Sequence, residues 1–480
     1  VQTLVSKNSL FIMVQGVQID NNGCLINTNP ATGEVISHVT TTTPEELEEM
    51  ISTSQTAQKA WRLTPLPDRI QMLKDALKAV AEPEICDKLV KLIVQEMGKP
   101  ITEAKAEMEF AVGKDEYFEI LEESLQPTPY NSSTVVRHPY GVVAILSPWN
   151  FPVDEILLLA LPSLASGNTV IVKPSEVVPE TGGLLVKTLQ QKLPPNVLQL
   201  AQGAGSVGAT LVQHQSINLV AMTGSSATGR KILEAAAPQL KRVILEMGGK
   251  DPMIVMEDAD LEKAAEDAVA YSLCNSGQVC CSVERVYVAE KIYVDFQKAC
   301  QQAALEYKVG NGMDPDTKVG PLVSELQKQQ VSSQVDDAIA KGAKLLHQSD
   351  VPKELNGSFY PVTVLADVNE NMKVFSDETF GPVVAMTKFD GSEEEAVRLA
   401  NKTEYGLGSS VYSQDLDKAN RIAALIDAGQ VGINCYPLEH MDVQCPWVGH
   451  KQSGFGFHSG YDGFLQFSIP KTIVSVPSEE

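Results

Sequence analysis

The chain has 480 residues, which suits two large domains better than one compact core. With 61 Asp and Glu against 38 Lys and Arg, its formal charge is -23, and an acidic surface repels a phosphate backbone, so a nucleic-acid partner is excluded. The eight cysteines lack the spacing of a disulfide scaffold, and neither they nor the seven histidines form a CxxC or HExxH pair. We therefore expect a reducing, cytoplasmic setting and no metal.

Residues 10–42 read as short strands and turns. Thr43-Pro44-Glu45-Glu46 has the form of a capping box, opening a helix marked by Leu47, Met50, Ile51 and Trp61. Two more helices follow, one striped by Ile70, Leu73, Leu77 and Val80, the next by Ile85, Leu89, Leu92, Ile93 and Met97 and stopped at Gly98. These stripes are core. From Val135 the pattern changes to apolar runs of strand length at 141–146, 169–173, 197–201, 217–222 and 242–246, with helical stretches between them. Buried parallel strands joined by crossover helices make a doubly wound α/β sheet, whose ligand crevice lies beyond the strands' carboxyl ends.

A second α/β region begins near Gly249, with strands at 253–256, 286–288, 383–389 and 431–435 and helices near 261–273 and 294–307. Segments 133–137 and 464–476 alternate like exposed strands, which usually pair with something. The longest apolar run, 156–165, is broken by Pro162 and too short to span a bilayer. The first residue is Val1 rather than Met, which leaves room for a targeting or anchoring segment ahead of it.

Cys280 follows Gly277-Gln278-Val279. A lone cysteine is commonly a small buried hydrophobe, but N–H groups exposed in a Gly-Gln turn would lower a thiol's pKa and bind an oxyanion. Glu246 ends the run RVILE. A carboxylate there is either salt-bridged or, partly desolvated, a base for water. Gly248 and Gly249 suggest a backbone that a ligand approaches closely. The string from Gly203 through Gly205 to Gly208 is a weak dinucleotide signature, since it follows the third strand rather than the first. The run from Thr223 to Gly229, between strand and helix, suits a pyrophosphate better. Glu176, in KPSE after the second strand, is either a solvated charge or an acceptor from a ribose 2′-hydroxyl, which favours NAD and leaves NADP open.

Seven segments stand in one order: PWNFP (148–152), KPSE (173–176), TGSxxxG (223–229), LEMGGK (245–250), GQVC (277–280), ETFGPV (378–383) and KQSGFG (451–456). Together they resemble the aldehyde dehydrogenase superfamily over nearly the whole chain. The resemblance implies an NAD-binding domain (1–123 and 139–248, with 449–462 returning to it), a catalytic domain (249–448) and a small β oligomerisation flap (124–138 and 463–480) in a homodimer or homotetramer. It makes Cys280 the nucleophile, Glu246 the general base and Asn150 the side-chain oxyanion donor. It places Lys173 and Glu176 on the adenosine ribose, Ser225 on the pyrophosphate, Glu378 on the nicotinamide ribose and Phe380 near the ring, with Gly205 and Trp149 also in the cofactor set. Glu246 separates the chain from the branch that passes its acyl group to coenzyme A.

For the substrate tunnel, the resemblance implies Phe151, Glu155, Leu158, Val279, Cys281, Met441 and Trp447. Trp447 is similar to the subgroup acting on betaine aldehyde and other aminoaldehydes, where aromatic faces hold a cationic nitrogen. Leu158 departs from that subgroup, which has an aromatic residue there. Glu155 and Glu439 are either compensating charges for a cationic substrate or, in preference, solvated surface charges. Three further departures concern the Gly203 stretch, one residue short, Val448 in place of glycine and Phe457 in place of arginine. A member without turnover, kept for nucleotide binding or structure, is the rival reading, and the retained nucleophile, base and oxyanion donor speak against it.

Overall fold

The computed structural model describes residues 17–475. Gln18–Ile19, Cys24–Thr28 and Val35–Thr40 form an antiparallel meander; the expected strand residues before 17 lie outside the described residues. The capping box is formed: Thr43 Oγ1 accepts from Glu46 N–H, and the Glu46 carboxylate accepts from Thr43 N–H, at the head of helix Pro44–Trp61. Helix Leu66–Ala81 buries its expected stripe, and Pro83–Met97 buries Leu89, Ile93 and Met97 while Ile85 and Leu92 are only half-buried; Gly98 ends the second in the left-handed region. Ile101–Val112 and Asp115–Ser124 are helices that the sequence does not announce.

The first large sheet runs, in spatial order, Gly454–Phe455, Arg242–Glu246, Ile217–Thr223, Val142–Leu146, Thr169–Lys173, Leu198–Leu200. All neighbours are parallel except the first pair. Successive residues feed opposite faces. Val143, Ile145, Val170 and Val172 join one apolar cluster, while Val142, Ala144 and Ile171 join another. A strand buried on both faces has no polar alternation, which is why these segments read as continuous apolar runs.

The second sheet orders Lys344–Gln348, Thr363–Ala366, Val383–Phe389, Val283–Ala289, Asp251–Val255, Gly408–Tyr412 and Gln430–Ile433, antiparallel only at its first pair. Asp251 follows Glu246 by a short link, so the last parallel strand of the first sheet leads directly into a central strand of the other.

Ser468–Val474 pairs antiparallel with Ser133–Pro139, which also pairs with Thr128–Pro129. Arg137 donates to Leu465 O, Ser468 O and Ser468 Oγ. The expected exposed strand from 464 starts later. Residues Gly460–Leu465 are helical, and Phe464 and Phe467 are fully buried, the first edge-on to Tyr117 at 4.7 Å. Their spacing of three is a helical one, and it carries both rings into the core. Val476 lies outside the described residues. Among the described residues no helix is long and apolar enough to cross a membrane.

Candidate active site

In the first sheet, strand order reverses between Val142–Leu146 and Ile217–Thr223, which opens a crevice at their carboxyl ends. Lys173 ends the neighbouring strand, buried, and its ammonium donates to Glu176 Oε2 at 3.1 Å and Pro174 O at 2.8 Å. Glu176 is thus a paired group, not a free surface charge. Gly205 begins helix Gly205–Gln213, where a β-carbon on Gly208 would touch the Lys173 stem at 3.4 Å. Ser225 caps helix Ser226–Ala236, its hydroxyl accepting from Thr228 N–H at 3.2 Å. Trp149 and Phe380, distant in sequence, meet edge to face at 5.6 Å.

Cys280 stands on a loop after helix Leu261–Leu273. Asn275, Ser276 and Gly277 are consecutive left-handed residues, and each is held. Asn275 N–H donates to Glu103 at 2.7 Å, Ser276 Oγ donates to Gly320 O, and Gly277 lies against Gly381 O with no space for a β-carbon. Fully buried Gln278 accepts from Val323 N–H at 2.9 Å. The Asn150 amide donates to Gln278 O at 3.1 Å, and Asn275 donates to Asn150 O at 3.2 Å. The side chain expected to serve as oxyanion donor is therefore tethered to the loop that carries the sulfur. Cys280 is partly exposed, whereas Cys281 is buried, with the Tyr436 hydroxyl 2.9 Å from its sulfur.

Glu246 is buried beside Cys280. Trp447 Nε1 donates to its Oε1 at 3.4 Å, and Oε2 has no protein partner. Burial, then the Glu155 charge, pushes this carboxyl well above the usual range. The thiol departs from expectation. The bond to Cys281, burial and the Glu246 charge push the Cys280 pKa up rather than down, because the groups nearest the sulfur are acidic and the turn's N–H donors do not offset them. The glycine pair also departs. A β-carbon on Gly248 would lie 2.4 Å from Glu378 Oε1, and one on Gly249 2.4 Å from Cys280 O. The protein's own groups fill the space that a ligand was expected to approach.

Glu378 accepts from Gly249 N–H at 3.3 Å, and burial raises it to about 8. Phe380 holds a positive φ of 53° because Glu284 accepts from both Thr379 and Phe380 N–H, at 2.8 and 2.9 Å, while Gln327 donates to Phe380 O. Glu284 is itself paired with Lys250 at 2.6 Å, both buried. Lys250 and Glu284 escape a reading by motif role; a lysine inside LEMGGK and a glutamate inside an apolar strand are the signals that could have found them.

Phe151, Val279, Cys281, Met441 and Trp447 belong with Cys280 to one apolar cluster, whereas Leu158 packs against the other domain-sized core, to which Trp149 and Phe380 also belong. Glu155 is no solvated surface charge: its carboxylate accepts from Thr223 Oγ1 at 2.8 Å, and burial raises it to about 7. Glu439 is exposed.

The aldehyde dehydrogenase family pattern matches residues 19–473. The chain belongs to the aldehyde dehydrogenase family. It is 34% identical over 460 residues to the glutarate-semialdehyde dehydrogenase of Pseudomonas putida, covering 94% of each chain. It is 34% identical over 493 residues to aminoaldehyde dehydrogenase 1, peroxisomal, of Pisum sativum, covering 99% of this chain and 97% of that one. A crystal structure of aldehyde dehydrogenase C from Pseudomonas syringae, with NAD+ and octanal, superposes with a TM-score of 0.90 at 31% identity, covering 95% of this chain and 94% of that one. An E. coli NADP-dependent enzyme gives 0.88 at 32%, covering 96% and 98%. This aldehyde dehydrogenase is accordingly an NAD(P)-dependent oxidoreductase that converts an aldehyde to its carboxylic acid.

The residues present fit a dinucleotide. A buried ammonium and its carboxylate partner stand at one strand end, a capped helix N-terminus faces the same edge, and Glu378 is a half-buried carboxylate with one N–H bond. Val448 and Phe457 are register partners in a two-stranded ribbon whose other pair is Trp447 with His458. They therefore sit together, next to Trp447, whose indole N–H donates to Glu246.

Proposed function

We propose that this enzyme works through a thioester on Cys280 that water hydrolyses, with Glu246 as base. The observation that carries the reading is the juxtaposition of the Cys280 thiol and the Glu246 carboxyl, with Asn150 tied to the same loop. The Cys280 thiol gives up its proton to water as the sulfur adds to the aldehyde carbon. The resulting oxyanion is met by the Asn150 amide and the Cys280 N–H, donors fixed before the substrate arrives. The bound nicotinamide supplies the hydride acceptor. Loss of hydride from the carbon leaves the thioester. Glu246 takes a proton from water, hydroxide adds to the acyl carbon, and the Cys280 thiolate departs as the acid forms. Lys173 and Glu176 hold the adenosine ribose, Ser225 and the turn with Gly205 the pyrophosphate, and Glu378, Phe380 and Trp149 the nicotinamide end, with NAD preferred over NADP because Glu176 opposes a 2′-phosphate.

The division into a cofactor domain, a catalytic domain from 249 and a flap of strands follows the two sheets and the Ser468–Val474 pairing. Exposed Ile469, Ile473 and Val474 on that outer strand support a homodimer or homotetramer joined there. All eight cysteines are free, in keeping with a reducing compartment such as the cytoplasm. Glu155 and Glu246 beside the thiol disfavour an aldehyde that carries its own carboxylate, and support neutral or amino-bearing aldehydes.

Glu246→Gln tests the mechanism. A burst of reduced cofactor should persist while steady turnover falls by about 10²- to 10⁴-fold; undiminished steady turnover would overturn the base assignment.

A further inference from the structure

Glu155 has no part in the reaction above, yet it stands where that reaction is sensitive. It lies in the first turn of helix Asp154–Ala165, and its carboxylate is held by the hydroxyl of Thr223. Thr223 is the last residue of its strand and the register partner of Glu246 on the next one. Parallel strands lie about 4.8 Å apart with paired side chains on one face, so the Thr223 hydroxyl carries the Glu155 carboxyl to the flank of Glu246. Glu246 Oε2 is itself buried without a hydrogen-bond partner. Two carboxyls in one poorly solvated space do not both ionise freely.

We propose that Glu155 is a positioning residue for the hydrolytic step: anchored by Thr223, it holds the pair Glu155 and Glu246 near one negative charge and so sets the pH at which Glu246 serves as base. The proposal rests on the reading of Glu246 given above. The charge balance runs in its favour from both sides. Glu155 is raised by burial first and by Asp154 next, with Glu107 adding to the rise and Lys114 and the Thr223 bond opposing it. Glu246 is raised by burial first and by Glu155 next, with Glu378 adding to it and the bonds to Cys280 and Trp447 opposing it. Lys114 is already paired with Asp154 at 2.9 Å, so it does not cancel the Glu155 charge outright. These surroundings are unchanged in a Glu155 variant, and the difference between proteins reports Glu155 alone.

The test is the rate of acid release from the acyl-enzyme, followed by rapid quench in a single turnover of the full-length enzyme from about pH 5 to about pH 9. Removing a negative charge beside Glu246 eases its ionisation, so Glu155→Gln should move the acid limb to lower pH by about one unit. Glu155→Asp, which keeps a carboxyl, should restore the limb toward the wild-type position. Thr223→Val removes a donor that favours ionised Glu155, and should move the limb the same way by less; it also decides the matter if Glu155→Gln does not fold. A limb that stays in place in the folded variants overturns the proposal. Glu246→Gln separates the two levels. If it releases acid at the wild-type rate, the base reading fails; if it stalls after hydride loss while the Glu155→Gln limb is unmoved, only the coupling fails.

Discussion

Gly249 passes so close to Cys280 that a β-carbon on it would lie 2.4 Å from the Cys280 carbonyl oxygen. The same β-carbon would meet Asp251 Oδ1 at 2.7 Å and Leu407 Cβ at 3.2 Å, so there is no direction in which it could be accommodated. This contact ties the link between the two sheets to the loop that carries Cys280. Gly249→Ala should push the loop outward, displacing the sulfur from Glu246 and costing about 1–3 kcal/mol of stability through overpacking. Thermal melting together with steady-state turnover checks this; a variant equal to wild type in both would show that the loop gives way freely.

The Lys250–Glu284 pair makes a different prediction. Both side chains are buried, and Glu284 accepts from Lys250 Nζ, Thr379 N–H and Phe380 N–H. Glu284→Gln leaves the ammonium without its counter-charge and should destabilise the enzyme by about 3–5 kcal/mol. Urea unfolding at neutral pH measures it, and a loss within ordinary surface values would mean that water reaches Lys250.

His458 gives stability a dependence on pH. It is buried, with Nε2 lacking a partner and Nδ1 2.8 Å from Ser459 Oγ. Burial, and then the Lys114 charge, lowers it to about 4 from 6.5. Below 6.5 the unfolded chain binds a proton that the folded one refuses, so this contribution is present above that pH and is lost as pH falls toward 4, by ~1.4 kcal/mol for each unit. Buried carboxyls such as Glu96, raised to about 7, act with the opposite sign and are common to both proteins. His458→Gln should therefore lose stability less steeply than wild type between those limits, as read from urea midpoints at stepped pH. Parallel slopes would contradict the assignment.

The parallel strands of the first sheet are legible in sequence because both faces are buried and most of their interior residues are apolar, with polar groups such as Lys173 and Glu246 at the ends. Gly408–Tyr412 is equally buried yet unreadable: its Gly-Ser-Ser start leaves space for the Asp251 carboxyl behind Gly408. Thr363–Ala366 is too short to register as a strand, and Ile101–Val112 hides its stripe of Ala104, Met108 and Ala111 among charges. At the site, motif segments locate Cys280, Glu246 and Asn150, since their roles attach to residue types. What they do not locate is the support. Glu284 holding Phe380, Tyr436 holding Cys281 and Thr223 holding Glu155 join residues more than 60 positions apart, and no local pattern encodes such pairings. The sign of the Cys280 shift was hidden for the same reason, since it depends on Cys281, Glu246 and Glu155 arriving together.

The short strand Gly454–Phe455 completes the edge of the first sheet by pairing with Leu245 and Glu246, and Ser453 seals the turn beyond by accepting from Met247 N–H and donating to Gly248 O. During translation the peptide bearing Glu246 must wait, its outer rim unzipped, until the segment with Gly454 and Phe455 has cleared the ribosome. A nascent polypeptide can thus assemble the parallel strands of the first sheet early, but the edge beside Glu246 is finished only after Gly454 and Phe455 have emerged.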